Sequence, residues 1–228
     1  MRVTTSKLSG AAAVCAVLSG LLYITIQFIH PDEDLAAVST DAWAVVALLT
    51  VAMAVFGLVG VTGIYLRQTE GAGILGLIGY LFLGLFFLLV TAMSFAESLI
   101  LPLVSDQAPG FVENFLGLFN GEGTDGTLGA LESIPSVAGV LYLLGGALFG
   151  IAVFRARILW SWAAVLLIVG AVIAPLTALV PHQVGRFAAL PVGAALVGLG
   201  VSLWSERNEA SSTELLGMPS SPATQPSA

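Results

Sequence analysis

The sequence predicts an all-α, polytopic transmembrane bundle of six helices, and composition and patterning both point to that fold class. Hydrophobic residues make up 57% of the 228 residues, charged residues only 9%, and the mean hydropathy is +1.00. Soluble domains carry about 25% charged residues, so a water-soluble fold of this composition lacks the polar surface to cover itself. The apolar residues also fall into runs long enough for helices to cross a bilayer while satisfying their own backbone groups.

The first two predicted spans are separated by an acidic connection. Residues 1–7 form a short polar segment, and the first span follows at about 8–29. Basic residues before an apolar run also fit a signal peptide, but this run is longer than a typical signal core and no clear cleavage site ends it. We therefore expect an uncleaved helix that stops at Pro31. The second span is expected at about 42–66.

The third predicted span, at about 76–101, lies in the most apolar stretch of the chain. Counted from Ala72, this stretch is longer than one crossing requires, so either the helix tilts or its glycine-rich start lies outside the hydrocarbon. The outer loop 103–134 that follows is the one long connection. Within it, the spacing of apolar residues over 109–119 predicts a short helix, lying either on the membrane surface or over the bundle.

Three further spans are expected in the last part of the chain, two of them with an internal proline. Pro175 and Pro191 should kink their helices and leave backbone carbonyls without helical donors. Residues 205–228, rich in Ser, Pro and Thr, have the composition of a disordered cytoplasmic tail. These three spans cover about 135–154, 158–180 and 187–204.

The basic residues predict the orientation of the bundle. Six spans place both termini on one side, and of the 7 Lys and Arg residues only Arg186 falls on the other side. Because basic residues accumulate in cytoplasmic loops, both termini are expected to face the cytoplasm across a cell inner (plasma) membrane. The acidic connections then face outward.

Composition also excludes several classes of function. The formal net charge is −7 and no basic patch is present, so nucleic acid is not an expected partner. Cys15 is the single cysteine, which excludes an internal disulfide and paired-cysteine metal motifs. No established catalytic motif is present, so an enzyme has little support and no cofactor is predicted.

Glu97 is the sharpest functional candidate, because an acid within a membrane span is costly and marks a functional site by default. Gln27, His30 and His182 are expected at the same outward level as Glu97. A carboxylate with two imidazoles can relay protons or bind a divalent metal, and the sequence does not decide whether a metal binds. Alternatively, the two histidines are solvated turn residues beside prolines, Glu97 extends to the interface, and Gln27 joins two helices.

Small residues recur on three of the spans, where they permit close helix contact. These faces serve packing within the bundle or between two copies of the chain. Packing within the bundle is favoured, because six helices must pack against one another before a dimer forms. The candidate packing residues are Gly57, Gly60, Gly63, Gly146, Gly150 and Gly198.

The last third of the chain resembles a group of bacterial membrane proteins. The Arg155-x-Arg157 turn, the stretch LWSWAAVLLIVGAVIAPL at 159–176 and the late Gly/Ala-rich helix are similar to small six-span integral membrane proteins of actinobacterial type. The resemblance implies a membrane location. The group has no settled activity, so the resemblance implies no function for this chain.

Two functions remain as expectations. The first is a small permease, or an accessory subunit of one, with an outward-facing polar pocket near Glu97. The alternative is a non-catalytic structural or interaction protein that joins a membrane-protein partner, or a second copy of itself, through its small-residue faces. The lipid bilayer is the partner common to both.

Overall fold

The computed structural model describes residues 4–120, 124, 125, 128–179 and 185–216, and all secondary structure in these ranges is helical. Three short 3-10 turns lie at Gly129–Ser133, Ala174–Leu179 and Arg186–Ala189. The α-helices are α1 (Thr5–Ile29), α2 (Leu35–Val38), α3 (Asp41–Arg67), α4 (Thr69–Leu99), α5 (Leu101–Val104), α6 (Pro109–Asn120), α7 (Ile134–Ala156), α8 (Ser161–Ile173) and α9 (Leu190–Leu216).

Five helical segments of the described chain are long and apolar enough to cross a membrane, which makes this a membrane-embedded helical protein. The sixth apolar segment, Ser161–Leu176, is shorter than the others. The predicted fold class is therefore confirmed as a helical membrane bundle, whereas the sixth crossing stays a prediction. The five long segments are Thr5–Ile29, Asp41–Arg67, Thr69–Leu99, Gly129–Ala156 and Arg186–Arg207.

The six main helices form a closed ring in chain order, because each packs against the next and α9 returns to α1. Successive helices run in opposite directions, so the connections gather at two ends. We call the end that carries Arg67, Arg155 and Arg207 the arginine end. The opposite end, with the connections at 30–40 and 100–133, is called the acidic end.

A glycine lies at every contact of this ring. At the α1–α9 crossing, a Cβ on Gly20 would collide with the backbone oxygen of Gly193, and at the α4–α7 crossing one on Gly145 would lie 2.9 Å from the Cα of Leu83. In lipid, helices associate through such close backbone contact.

The six glycines singled out in the sequence all face a neighbouring helix of the ring. Gly60 and Gly63 pack on α1 at Ala16 and Ala12, and Gly57 packs on Phe87 of α4. The remaining three lie in the contacts that α8 makes with its two neighbours. Gly146 and Gly150 of α7 face Ala171 and Ile168, and Gly198 of α9 faces Trp162.

Gly73 divides the long apolar stretch at the start of α4. Its backbone has φ 57° and ψ −158°, a conformation that glycine adopts readily and other residues rarely do. The glycine-rich start of this stretch is therefore a separate helical turn, and the continuous helix begins after it. The N–H of Ala72 still donates to the carbonyl of Gln68, which closes this first turn at 2.8 Å.

The two prolines mark helix ends, so the expectation that they kink their helices was wrong. α8 stops at Ile173, and Pro175 lies in the 3-10 turn that follows. Pro191 is the second residue of α9, where its missing N–H has no helical partner to lose.

The last helix differs from the expected span at its far end. α9 continues to Leu216, past the expected end at Trp204. The first part of the predicted disordered tail is therefore helical, and residues 217–228 lie outside the described residues.

The short helix predicted at 109–119 is present as α6 and packs over the acidic end. Its apolar face contributes Val112, Phe115 and Leu116 to a cluster with Trp43 and Leu101. This cluster is separate from the main core of the ring. Of the two placements left open by the sequence, α6 therefore takes the one against the bundle.

Replacing Gly79 by alanine should destabilise the ring, whereas the same change at Gly84 should not. A Cβ at Gly79 would lie 2.7 Å from the Cα of Phe149, and backbone cannot rotate away, so we expect a loss of about 1–3 kcal/mol. At Gly84 the nearest atom is Leu58 Cδ1 at 3.4 Å, and alanine should be neutral or stabilising by up to about 1 kcal/mol. Thermal unfolding of both variants in detergent measures the difference, and equal stabilities would contradict this account of the α4–α7 contact.

Candidate functional site

A cavity of about 400 Å³ lies inside the ring toward its acidic end. Its wall is built by α1, α3, α4 and α7, and by the 3-10 turns after α8 and before α9. The lining is mostly apolar with a few convergent polar groups, which is typical of small-molecule sites. The polar lining includes Tyr23, Gln27, His30, Glu33, Glu97 and Arg186.

Glu97 reaches this cavity from the last turn of α4. Its carboxylate lies within hydrogen-bonding reach of the Ser94 side chain, one turn earlier. Its backbone carbonyl is among the last four of the helix, which have no partner within the helix. The indole N–H of Trp43 donates to that carbonyl at 2.9 Å, so α3 fixes the end of α4 beside the cavity.

Gln27 lies one turn after Tyr23 in α1, His30 directly follows the end of this helix, and both line the same cavity. The side-chain amide of Gln27 donates to the carbonyl of Tyr23 at 3.0 Å. The imidazole of His30 lies edge-on to Trp43, with ring centroids 6.4 Å apart. Three of the four predicted site residues therefore surround one cavity, and His182 lies outside the described residues.

Arg186 and Glu33 also line the cavity, although the sequence indicated only that each belongs to a connection. Arg186 stands at the start of the 3-10 turn before α9, and one guanidinium nitrogen donates to the carbonyl of His30 at 3.4 Å. Glu33 lies close enough to Glu97 for the two carboxylates to repel each other. A signal for Arg186 existed: it is the one basic residue that breaks the charge asymmetry of the chain.

Three aromatic residues, Tyr23, Phe86 and Tyr142, form what we call the aromatic floor of the cavity. The phenol groups of Tyr23 and Tyr142 lie within hydrogen-bonding reach of each other. The rings of Phe86 and Tyr142 pack with centroids 4.9 Å apart. Because the two hydroxyls are directed at each other, the floor presents mainly apolar surface.

A second, smaller cavity of about 30 Å³ adjoins the first beside Glu97. It is bounded by His30, Trp43 and Glu97, and α6 closes it with Leu116 and Phe119. A space of this size with polar walls is large enough for an ordered water. The short helix over the acidic end thus belongs to the wall of the site.

Directly beneath the aromatic floor the helices are closely packed. Ala16 of α1, Val61 of α3, Phe149 of α7 and Leu199 of α9 are completely buried in one continuous core. The cavity is therefore a cup with one closed side, and a ligand can enter only from the acidic end or between helices.

The described residues contain no group of three or more His, Cys, Asp or Glu side chains arranged to hold a metal ion. His30, Glu33 and Glu97 share the cavity without forming such a group.

The fold and the cavity define a class, a membrane-embedded helical bundle with a cup between its helices that is mostly apolar and carries a few polar groups. Comparisons of the chain with models of protein families, with curated proteins and with solved structures find no match.

A cysteine at Ala138 should react with a charged, membrane-impermeant methanethiosulfonate reagent, because this half-buried residue lines the cavity. The control is a cysteine at Ala152 on the same helix, where the side chain is 1% exposed within the solid core. Both substitutions are made in a Cys15→Ala background and followed by mass spectrometry. Labelling of Ala152→Cys as fast as Ala138→Cys would contradict a cup closed beneath its floor.

Proposed function

We propose that this protein is a small permease, or an accessory subunit of one, that binds a small polar ligand in the cavity at Glu97. The observation that carries the proposal is the cup itself, in which a carboxylate from α4 meets polar groups from α1 and from the turn before α9. Acids within membrane proteins are retained mainly where they face a pathway or a partner, because their desolvation is costly.

The cavity has features that suit transport more than a static scaffold. Two short 3-10 turns, Ala174–Leu179 and Arg186–Ala189, replace regular helix along its wall. Irregular backbone at membrane depth is tolerated where it lines a cavity, and broken helices of this kind form the substrate sites of many transporters.

The alternative function, assembly through small-residue faces, has less support. The six glycines on which it depended all contact neighbouring helices within the ring. A partner would have to use other surfaces.

We also propose six crossings, with both termini on the cytoplasmic side of the bacterial inner membrane. The 13 residues of α8 rise about 20 Å. The 3-10 turn adds 6 residues, or about 12 Å, because it rises further per residue. Together they reach about 30 Å, the thickness of the hydrocarbon core. The arginine end then faces the cytoplasm, as basic residues do in most membrane proteins.

Reporter fusions test this topology. Alkaline phosphatase fused after Arg157 or after Arg207 should be inactive, and fused after Glu132 it should be active, because only periplasmic phosphatase folds. A fluorescent protein that requires the cytoplasm should give the opposite pattern. Activity of the phosphatase after Arg207 would place that end of the chain outside the cytoplasm and overturn the proposal.

Replacing Glu97 by glutamine should remove ligand binding while the protein still folds. Wild type and variant are screened by thermal stability in detergent against primary amines, amino acids, sugars, carboxylic acids and divalent metals. At a hundredfold excess over Kd, a compound that binds only the folded protein stabilises it by about 2.7 kcal/mol. Glu113→Gln, on the exposed side of α6, is the matched control and should respond like wild type. Stabilisation of Glu97→Gln by every compound that stabilises wild type would overturn the proposed site.

A further inference from the structure

The cavity contains groups of both charge signs that do not neutralise each other. Among the described side chains, the Glu97 carboxylate and the Arg186 guanidinium line the same cavity and form no ion pair with one another. By contrast, Arg67 and Glu206 at the arginine end are paired at 2.9 Å. Buried or half-buried charges are costly unless they are paired, so each of the two cavity charges calls for a partner.

Arg186 is held in place but has unused hydrogen-bonding capacity. Its guanidinium donates one bond to the carbonyl of His30 and lies 5.7 Å from the centre of the Phe187 ring. Its Nε is buried and has no hydrogen-bond partner among the described residues. A guanidinium has five N–H donors in a planar fork that fits a carboxylate, so an anionic group is its natural complement.

Glu97 presents the opposite requirement. Its carboxylate interacts with Ser94 on its own helix, and Glu33 adds further negative charge nearby. An ammonium group satisfies such a site, because its three N–H donors can bind carboxylate and neighbouring acceptors together. Gln27 and Thr50 line the same wall and supply polar atoms next to it.

The rest of the cavity is apolar. The aromatic floor and the side chain of Met53 lie below the charged groups, and Val90 lies on the α4 side. An apolar ligand group of modest size fits this part, since cavities of this volume bury most of a small ligand.

From this combination we infer the substrate class: the cavity takes a small zwitterion, an amino acid with an apolar side chain. Its ammonium binds Glu97, its carboxylate binds Arg186, and its side chain contacts the aromatic floor. The inference rests on the proposed function and goes further by naming what the cup recognises. It gives Arg186 a specific role, whereas the proposed function counts this residue only among the polar groups of the cup.

The test uses two amino acids and their single-charge analogues. L-leucine and L-phenylalanine are compared with the matching amines, isoamylamine and phenethylamine, and with the matching acids, 4-methylpentanoate and 3-phenylpropionate. Binding to the detergent-solubilised protein is measured by thermal shift and by titration calorimetry. At least one amino acid should bind, and its amine and acid should each bind about tenfold more weakly or worse, since each lacks one charged hydrogen-bonded contact.

Two variants assign each charge to its partner. Arg186→Gln should bind the amino acid and its amine equally, because the carboxylate has lost its contact. Glu97→Gln should bind the amino acid and its acid equally. Arg155→Gln, at the arginine end, is the control and should bind like wild type. The unfolding temperature without ligand shows that each variant is folded.

The outcomes separate this inference from the proposed function. An amine that binds as tightly as its amino acid, with dependence on Glu97 and none on Arg186, would overturn the zwitterion and leave the polar cup in place. The same holds if no member of the series binds while another class of compound gives a Glu97-dependent shift. If the binding of no compound in either screen depends on Glu97, both proposals fail.

Discussion

Close contact between helix backbones is the constraint on which the rest of this bundle depends. Lipid tails are as apolar as the helix surfaces, so burial of apolar area does not drive helices together as it does in water. At five of the six contacts in the ring a glycine instead meets the partner's backbone or a small side chain, as at Gly20 with Gly193 and Gly60 with Ala16, and at the α3–α4 contact Gly57 meets the ring of Phe87. Dispersion contacts, which weaken steeply with distance, then supply the cohesion.

The cup exists because this packing gives way toward the acidic end. In the middle of the bundle, alanines and glycines let α1, α3, α7 and α9 fill the centre of the ring. Toward the acidic end, the inward positions carry Tyr23, Phe86 and Tyr142, and regular helix gives way to 3-10 turns before α9. Larger side chains and irregular backbone hold the helices apart there. The polar groups lie in the resulting space, where they can be solvated or bound by a ligand.

Much of the site could be predicted from the sequence, because the length of each apolar helix fixes the depth at which its residues lie in the bundle. Gln27, His30 and Glu97 lie near the same end of antiparallel helices, and residues at equal depth in a ring face one centre. Arg186 could not be found this way, since its place depends on a 3-10 turn that no periodicity announces. The partners of the glycines were equally hidden, because they depend on the order of helices around the ring.

The prolines illustrate a further limit of prediction from sequence. A proline in an apolar run predicts a break, but whether it kinks a helix or begins one depends on the neighbouring backbone. Pro191 begins α9, and Pro175 lies where the chain has already left the α-helix. Ala174 begins the 3-10 turn after α8, and Ala189 ends the 3-10 turn before α9. Both residues line the cavity.

The position of Trp43 also gives the protein an intrinsic optical reporter. Of the 4 tryptophans, Trp43 is the one at the acidic end, 4% exposed, bonded to Glu97 and edge-on to His30. Trp160, Trp162 and Trp204 lie at the arginine end and are more than a third exposed, within reach of added quenchers. Once those three are quenched, the remaining emission comes from an indole that bounds the small cavity beside the cup and packs against His30. Occupancy of the cup can then be followed in real time by fluorescence, without a label.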